Sequence, residues 1–303
     1  MIVRREFSIW NLVRWQEHSV LYFAAVACLV TAIRDLLGWD WFEIPVLPVG
    51  VLGGALGIFV SFRTNAAYAR WWEGRQLWGR LVNLSRTWST EVLAFLPSEG
   101  DAPSPIQRRC VERCILYVHV LRCLLREQSP WEDADVKRFS TAEERARLSK
   151  QSNPTHAIVH EMALLVAAEA NAGRLSDLRL EALDRSIAGF LDVQGGCERI
   201  KRTPMPPVYG YLGAQLTRVF GLLFPMAIFE ELWILAIPLS VVLSMAFMLI
   251  NEAGRVLEDP FNTFWNALPL AALSRTIESN LRDRLGDADV LPMLKPDENG
   301  VLM

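Results

Sequence analysis

The chain has 303 residues, and its 31 Lys and Arg residues against 34 Asp and Glu residues give a formal net charge of -3. That balance lacks the clustered basic excess of nucleic-acid-binding proteins, so nucleic acid is excluded as an expected partner. Hydrophobic residues make up 51% of the chain, and the uncharged residues are concentrated in a few long stretches, as in membrane proteins.

The N-terminal segment, residues 1–17, is predicted to be amphipathic. Its large apolar side chains, suited to a lipid interface, are Phe7, Trp10, Leu12 and Trp15. The first membrane helix is expected from His18 to Leu37, ending at Gly38, because glycine commonly terminates helices. The apolar run starts late and no clean cleavage motif follows it, which favours an uncleaved membrane helix over a signal peptide.

Three stretches nearly free of charge follow one another along the chain. Residues 19–33 and 44–62 contain no Asp, Glu, Lys or Arg, and residues 205–250 contain three charged residues: Arg218, Glu230 and Glu231. A bilayer core about 30 Å thick needs roughly 20 apolar residues per helix, so the third stretch is long enough for two crossings. The sequence therefore predicts four membrane helices per subunit.

The last two crossings are expected at about residues 208–229 and 235–253, joined by a tight outer turn at Glu230–Trp233. The paired carboxylates of Glu230 and Glu231 fit two interpretations. They form either an acidic vestibule that concentrates cations or an ordinary solvated turn.

Arginine predicts the orientation in the membrane. Basic residues flank the start of the first helix and the end of the second, and such residues favour the cytoplasmic side. They are Arg4, Arg5 and Arg14 before the first helix, and Arg63, Arg70, Arg75 and Arg80 after the second. The acidic connection at residues 35–43 then lies outside. We expect a multi-pass membrane protein with both termini in the cytoplasm.

The region between the second and third crossings is predicted to be a helical cytoplasmic domain. Apolar residues recur there at helical spacing and strand-like alternation is scarce. Helices are expected at residues 156–172, after Asn153-Pro154, and at 176–200, with one more at 270–285. The predicted divisions of the chain are 1–76, 77–203, 204–255 and 256–303.

Five cysteines occur without a CxxC pair, so neither a disulfide framework nor a zinc ribbon is predicted. We expect reduced, packed thiols at Cys28, Cys110, Cys114, Cys123 and Cys197.

The second crossing carries the main functional hypothesis. Gly54, Ile58 and Phe62 follow one another at four-residue spacing on one helical face. If several copies of this helix surround an axis, these side chains form apolar rings that gate ions by dewetting. Gly53 and Gly57 have the alternative explanation of close helix packing.

Three ordered motifs resemble the bestrophin family of ion channels. They are FRTNAAYARWWEGRQLWG at 62–79, GCERIKRTPMPPVY at 196–209 and EDPFNTFWNALPLAALSRTIESNL at 258–281. The resemblance implies an all-α membrane protein whose subunits form a pentameric ring around one axial pore, lined by residues 44–72. It also implies passive conduction of monovalent ions: anions as in animal members, or monovalent cations as in characterised bacterial relatives.

The resemblance also assigns residues to the pore. The hydrophobic neck corresponds to Gly54, Ile58 and Phe62; its first position is bulky in the family, so the outermost ring is expected to be wide or absent here. A second, cytoplasmic aperture falls near Leu178, for which burial in a helical core is the alternative. The pore flank includes Arg63, Asn65 and Arg70, whose arginines alternatively reach lipid headgroups or pair with acids such as Glu73.

No cofactor or metal is expected. The stretch that corresponds to the calcium-binding segment of animal members carries only the carboxylates of Glu258 and Asp259, whereas Ca²⁺ takes six to eight oxygen ligands. His156 and His160 share a helical face but lack the zincin order and a third ligand. We therefore expect a channel and not an enzyme, with a non-conducting membrane scaffold or receptor as the alternative function.

Overall fold

The structure is a computed structural model that describes residues 14–38, 44–98, 100, 102–298 and 300–302. This described part is built of helices and contains no β-strand, so the predicted all-α fold is confirmed. Several residues predicted at the membrane surface lie outside it: Phe7, Trp10 and Leu12 in the N-terminal segment, and the outer connection at 39–43.

The helices, numbered in chain order, are α1 (Glu17–Leu37), α2 (Val46–Phe95), α3 (Pro105–Leu125), α4 (Ala134–Arg138), α5 (Ala142–Leu148), α6 (Pro154–Asn171), α7 (Asp177–Arg202), α8 (Pro207–Leu232), α9 (Ala236–Leu257) and α10 (Leu270–Leu285). A short 3-10 turn, Trp233–Leu235, separates α8 from α9.

Helix ends follow local capping chemistry. Gly38 ends α1 with a φ of 60°, and its backbone N–H donates to the Arg34 carbonyl; an L-residue with a side chain rarely adopts that left-handed conformation. Ser104 begins α3 through a capping box with Gln107, and the Asn153 side chain caps α6. These contacts satisfy N–H and C=O groups that a helix end leaves without intrahelical partners.

The described residues fall into two compact units. One, here called the membrane unit, comprises residues 14–71 and 204–258; the other, the polar unit, comprises residues 72–203 and 259–302.

The membrane unit contains helix long and apolar enough to cross a bilayer. Within the described residues such stretches are Glu17–Leu36, the first part of Val46–Phe95, and Pro207–Leu257. The last is two helices, because the chain breaks at Trp233, where φ is 45°. Helix α8 continues through Glu230 and Glu231, so the turn lies slightly later than predicted. Helices α1, α8 and α9 pack against one another.

The polar unit is organised around α3, which is buried along most of its length and packs against α6 and α10. Trp88 and Tyr117 both meet the Phe190 ring edge-on. The Trp88 Nε1–H donates to the Cys110 carbonyl at 3.1 Å, and the Tyr117 hydroxyl donates to the Phe190 carbonyl at 3.0 Å. The polar groups of these two buried aromatic side chains are thus hydrogen-bonded.

Four of the five cysteines are buried free thiols, as predicted: Cys110, Cys114, Cys123 and Cys197. Burial raises the pKa of the Cys110, Cys114 and Cys197 thiols to about 12, which keeps them protonated and unreactive. The fifth, Cys28 on α1, is exposed, so the prediction of a packed thiol is wrong at that position.

Candidate functional site

The candidate pore helix, α2, is one uninterrupted helix of 50 residues. At 1.5 Å per residue it is about 75 Å long, far longer than a bilayer crossing requires. It continues beyond the predicted pore-lining segment, which ends at residue 72, as far as Phe95. No proline follows Pro48 in its first turn, so nothing in the sequence interrupts the backbone hydrogen bonds.

One face of α2 in the membrane unit is apolar and exposed. The Ile58 side chain is 61% exposed and Phe62 is 71% exposed. Leu47 and Val51 extend the same face. At Gly54 an added Cβ would meet no atom within 4 Å. The three predicted neck positions therefore share a face that the protomer leaves uncovered.

The opposite face of α2 is packed. Leu56 and Val60 are buried in a cluster with Phe220 of α8. A Cβ at Gly53 would lie 2.8 Å from the Phe220 ring, which explains a glycine by close helix packing. At Gly57 the nearest atom would be at 3.5 Å, an ordinary contact. The steric requirement for glycine thus applies to Gly53 and not to Gly54.

Arg63, which directly follows the predicted neck residues on α2, binds residues at the end of α9. It is 4% exposed, and its Nη1 donates to the carbonyl and the Oδ1 of Asn251, at 2.9 and 2.6 Å. Its Nη2 forms an ion pair with Glu258. A buried arginine is expensive unless paired and hydrogen-bonded, and both conditions are met here.

Glycines on α8 make room for this arrangement. A Cβ at Gly210 would lie 3.0 Å from the Arg63 Nη2, and one at Gly213 would lie 2.5 Å from the Asn251 Oδ1. Larger residues at these positions would displace the guanidinium group or its amide partner. The contacts of Arg63 with Asn251 and Glu258, here called the anchor, therefore depend on three helices of the membrane unit.

Two further contacts join α2 to the end of α9. The Thr64 hydroxyl donates to the Ile250 carbonyl at 3.1 Å, and the Arg70 Nε donates to the Glu258 carbonyl at 3.1 Å. Of the three predicted flank residues, Asn65 is exposed, Arg70 is half-buried and Arg63 is buried.

The acid that binds Arg63 is Glu258. The predicted example of a partner, Glu73, belongs to the polar unit and pairs with Arg199 there.

At the other end of the membrane helices, Glu230 pairs with Arg34 of α1. The guanidinium group of Arg34 also lies 4.8 Å from the centre of the Phe229 ring. Glu230 therefore has a partner within the protomer, although both Glu230 and Glu231 are exposed. The acidic vestibule stays a prediction, as does its alternative, an ordinary solvated turn.

Leu178, the predicted aperture residue, is the second residue of α7 in the polar unit. Its side chain is 80% exposed. The alternative that it belongs to the helical core is therefore wrong for the protomer.

The residues considered and rejected as metal ligands are ordinary surface or paired groups. His156 and His160 are exposed. The Asp259 carboxylate lies 2.7 Å from the Lys201 Nζ and accepts the Phe261 backbone N–H at 3.0 Å. Within the residues described here, no cluster of three or more His, Cys, Asp or Glu residues is placed to hold a metal ion.

A buried ionic cluster in the polar unit was not predicted from the sequence. His119 is fully buried, and its Nε2 lies 2.9 Å from the Glu278 Oε2. Arg138 and Arg275 also approach Glu278. Burial of Glu278 opposes ionisation, but its hydrogen bonds with His119 and Arg138 and the charge of Arg275 hold its pKa below the ordinary value. The signals in the sequence are a histidine within an apolar helical pattern, at His119, and a carboxylate within a predicted helix, at Glu278. Neither signal identifies its partner.

Comparison with known proteins identifies the family of this chain. Residues 11–283 match the family model described as Bacterial/Fungal Bestrophin protein. The chain belongs to the bestrophin family.

Relatives of this bestrophin carry names that describe channels, a non-enzymatic class of protein. The voltage-dependent anion channel-forming protein mll4386 of Mesorhizobium japonicum is 32% identical over 92% of this chain and 87% of its own length. The voltage-dependent anion channel-forming protein YneE of Escherichia coli K12 is 32% identical over 83% of this chain and 81% of its own length.

A crystal structure of a bacterial bestrophin homologue from Klebsiella pneumoniae has the same fold. It superposes with a TM-score of 0.82 at 30% identity, and the match covers 90% of this chain and 99% of the other. The recognition of the three motifs as bestrophin-like is confirmed.

Proposed function

We propose that this bestrophin is a homo-oligomeric ion channel, a pentamer by family resemblance, in which α2 of each subunit lines one axial pore. Monovalent ions pass through it passively, and Ile58 and Phe62 form its hydrophobic neck. The observation that carries the proposal is the exposed apolar face of a helix whose opposite face is packed. Family membership and the names of the relatives support an ion channel.

The exposed face of α2 changes from apolar to polar side chains along the helix, as expected for the lining of a pore. Ile58 and Phe62 are followed on the exposed side by Asn65, and Ser61 is exposed beside them. Exposed polar groups are unfavourable against lipid hydrocarbon but suit a water-filled path. A narrow apolar ring next to polar side chains is a site where water is expelled and ion passage is gated.

Gly54 modifies this neck. It contributes no side chain to the exposed face, and no atom of the protomer fills the space beside it. We expect the outermost ring to be open, so that Ile58 and Phe62 form the constriction.

Selectivity is proposed for monovalent ions, with two candidate signs. The relatives are named as anion channels, whereas the resemblance to characterised bacterial members implies cations. Arg63 does not provide a free positive charge at the neck, because Glu258 neutralises it. Neither Ile58 nor Phe62 carries charge, so selectivity depends on other groups along the path.

The membrane arrangement belongs to the same proposal: four crossings per subunit in the bacterial inner membrane, with both termini in the cytoplasm. Leu178 is proposed to line the second aperture, since its exposed side chain is available to an axial path. No cofactor and no calcium clamp are proposed.

Purified protein reconstituted into planar bilayers tests the proposal. The Ile58→Ala and Phe62→Ala variants are expected to raise single-channel conductance, because removing apolar atoms widens the ring and favours its wetting. Leu29→Ala is the matched control, since Leu29 of α1 is also 61% exposed but is assigned to no pore. The reversal potential under a salt gradient gives the sign of the permeant ion.

Unaltered currents in both neck variants, or an increase equal to that of Leu29→Ala, would contradict the pore assignment. Assembled protein that carries no ion flux in a liposome assay would favour the alternative function, a membrane scaffold or receptor.

A further inference from the structure

The membrane unit holds a polar cavity of about 490 Å³ that the proposed pore does not use. It lies between the start of α1, the first half of α8, the end of α9 and the part of α2 around Arg63. Three arginines line it, accompanied by polar side chains of α1 and an aromatic side chain of α8. These residues are Arg63, Arg218, Arg255, Gln16, Ser19 and Tyr211.

The charges that line the cavity do not balance. Arg63 is paired with Glu258, and Arg255 is paired with Glu252. Arg218 is exposed, and among the residues that the structure describes none forms an ion pair or hydrogen bond with it. Two acids therefore face three arginines, which leaves one positive charge for an anionic ligand.

A second observation points to a ligand at the same place. The Arg63 Nε is buried and has no hydrogen-bond partner among the described residues, although the two other guanidinium nitrogens are engaged. Buried polar groups nearly always have partners, and this unpartnered donor belongs to a residue that lines the cavity.

The surroundings select the kind of anion. Arg218 lies within the apolar helix α8, on the face that also exposes Tyr211 and Leu222. An arginine in such a helix extends toward the headgroup region, and its neighbours offer apolar surface for acyl chains. Basic pockets between membrane helices on the cytoplasmic side are typical binding sites for anionic lipid headgroups.

We infer that this cavity binds the phosphate of an anionic phospholipid, with Arg218 as its principal charge partner and the Arg63 Nε–H as an additional donor. Arginine suits the role because its planar group donates two parallel hydrogen bonds to phosphate oxygens. The inference requires the membrane unit to lie in a bilayer, and it holds whether or not the chain conducts ions.

Native mass spectrometry of the full-length protein tests the site with phosphatidylglycerol and phosphatidylcholine as probes. The parent protein is expected to retain phosphatidylglycerol in preference to phosphatidylcholine. Arg218→Gln is expected to reduce that retention about fivefold, since one arginine near a membrane surface contributes about 1 kcal/mol. Arg218→Lys keeps the charge and is expected to bind more phosphatidylglycerol than Arg218→Gln.

Arg284→Gln is the matched control. It removes the same charge from an exposed arginine of the polar unit and is expected to leave retention unchanged. Equal retention of the two lipids, or unchanged binding in Arg218→Gln, would overturn the inference. Displacement of phosphatidylglycerol by excess inorganic phosphate would also overturn it, in favour of a site for a soluble oxyanion.

Discussion

The two units of this bestrophin place their large apolar side chains in opposite ways. In the polar unit Trp88, Tyr117 and Phe190 are fully buried, whereas on α2 in the membrane unit Ile58 and Phe62 are among the most exposed side chains. Burial from water drives the first arrangement. In a bilayer that force between helices is missing, so apolar side chains remain outside a protomer to meet lipid or other subunits.

The two units also differ in how many partners share a buried charge. In the polar unit Glu278 is shared by several cations, with His119 and Arg138 closest. In the membrane unit Arg63 has one acid, Glu258, together with the oxygens of Asn251.

The largest expected effect is in the aromatic core of the polar unit. Trp88→Ala removes a fully buried indole and its hydrogen bond to Cys110, and the expected loss of stability is about 3–5 kcal/mol. Thermal unfolding in detergent measures it. Leu178→Ala, at an exposed position of the same unit, is the control and is expected to change stability by less than about 0.5 kcal/mol. Similar losses in the two variants would contradict the packing described for Trp88.

The next effect concerns the membrane-unit anchor. Arg63→Ala leaves Asn251 and Glu258 without their partner, and the expected cost is about 3 kcal/mol because buried acceptors lose a charged donor. Glu258→Gln keeps an oxygen acceptor and should cost less. Arg14→Gln, at an exposed arginine of the same unit, should cost less than about 0.5 kcal/mol. An Arg63→Ala variant as stable as Arg14→Gln would contradict the contacts described for Arg63.

The smallest effect is a dependence of polar-unit stability on pH. The folded pKa of Glu278 is below its ordinary value of 4.5, so the unfolded chain binds that proton more readily. Its contribution to stability is complete above about pH 4.5 and is lost as the pH falls through the lower folded pKa. Unfolding midpoints from neutral to acidic pH measure this loss. Glu278→Gln should flatten the acidic limb, and Glu181→Gln, at an exposed carboxyl, should not; parallel curves for the parent and Glu278→Gln would contradict the assignment.

Local pattern predicted much of the helical framework. Helix α10 has the predicted limits, Leu270–Leu285, because apolar residues recur at helical spacing and a glycine follows. Gly38 and Asn153 stand at the helix ends where their chemistry predicted them. The turn between α8 and α9 was misplaced by a few residues, since Glu230 and Glu231 are compatible with both a turn and the last turn of a helix.

The candidate site was predictable only as a set of positions on one helix. Four-residue spacing places Gly54, Ile58 and Phe62 on a common face, whatever surrounds it. The partners of Arg63 were not predictable, because Asn251 and Glu258 lie nearly 200 residues further along the chain. No periodicity specifies such a contact.

The sequence by itself determined the helices, the apolar stretches and the bestrophin motifs, because each depends on neighbouring residues along one backbone. Tertiary structure alone decided that Gly53 contacts the Phe220 ring while Gly54 faces open space, and that Arg63 is neutralised where Arg218 is not. These outcomes depend on which side chains from distant segments occupy the same volume, and packing in three dimensions is what determines that.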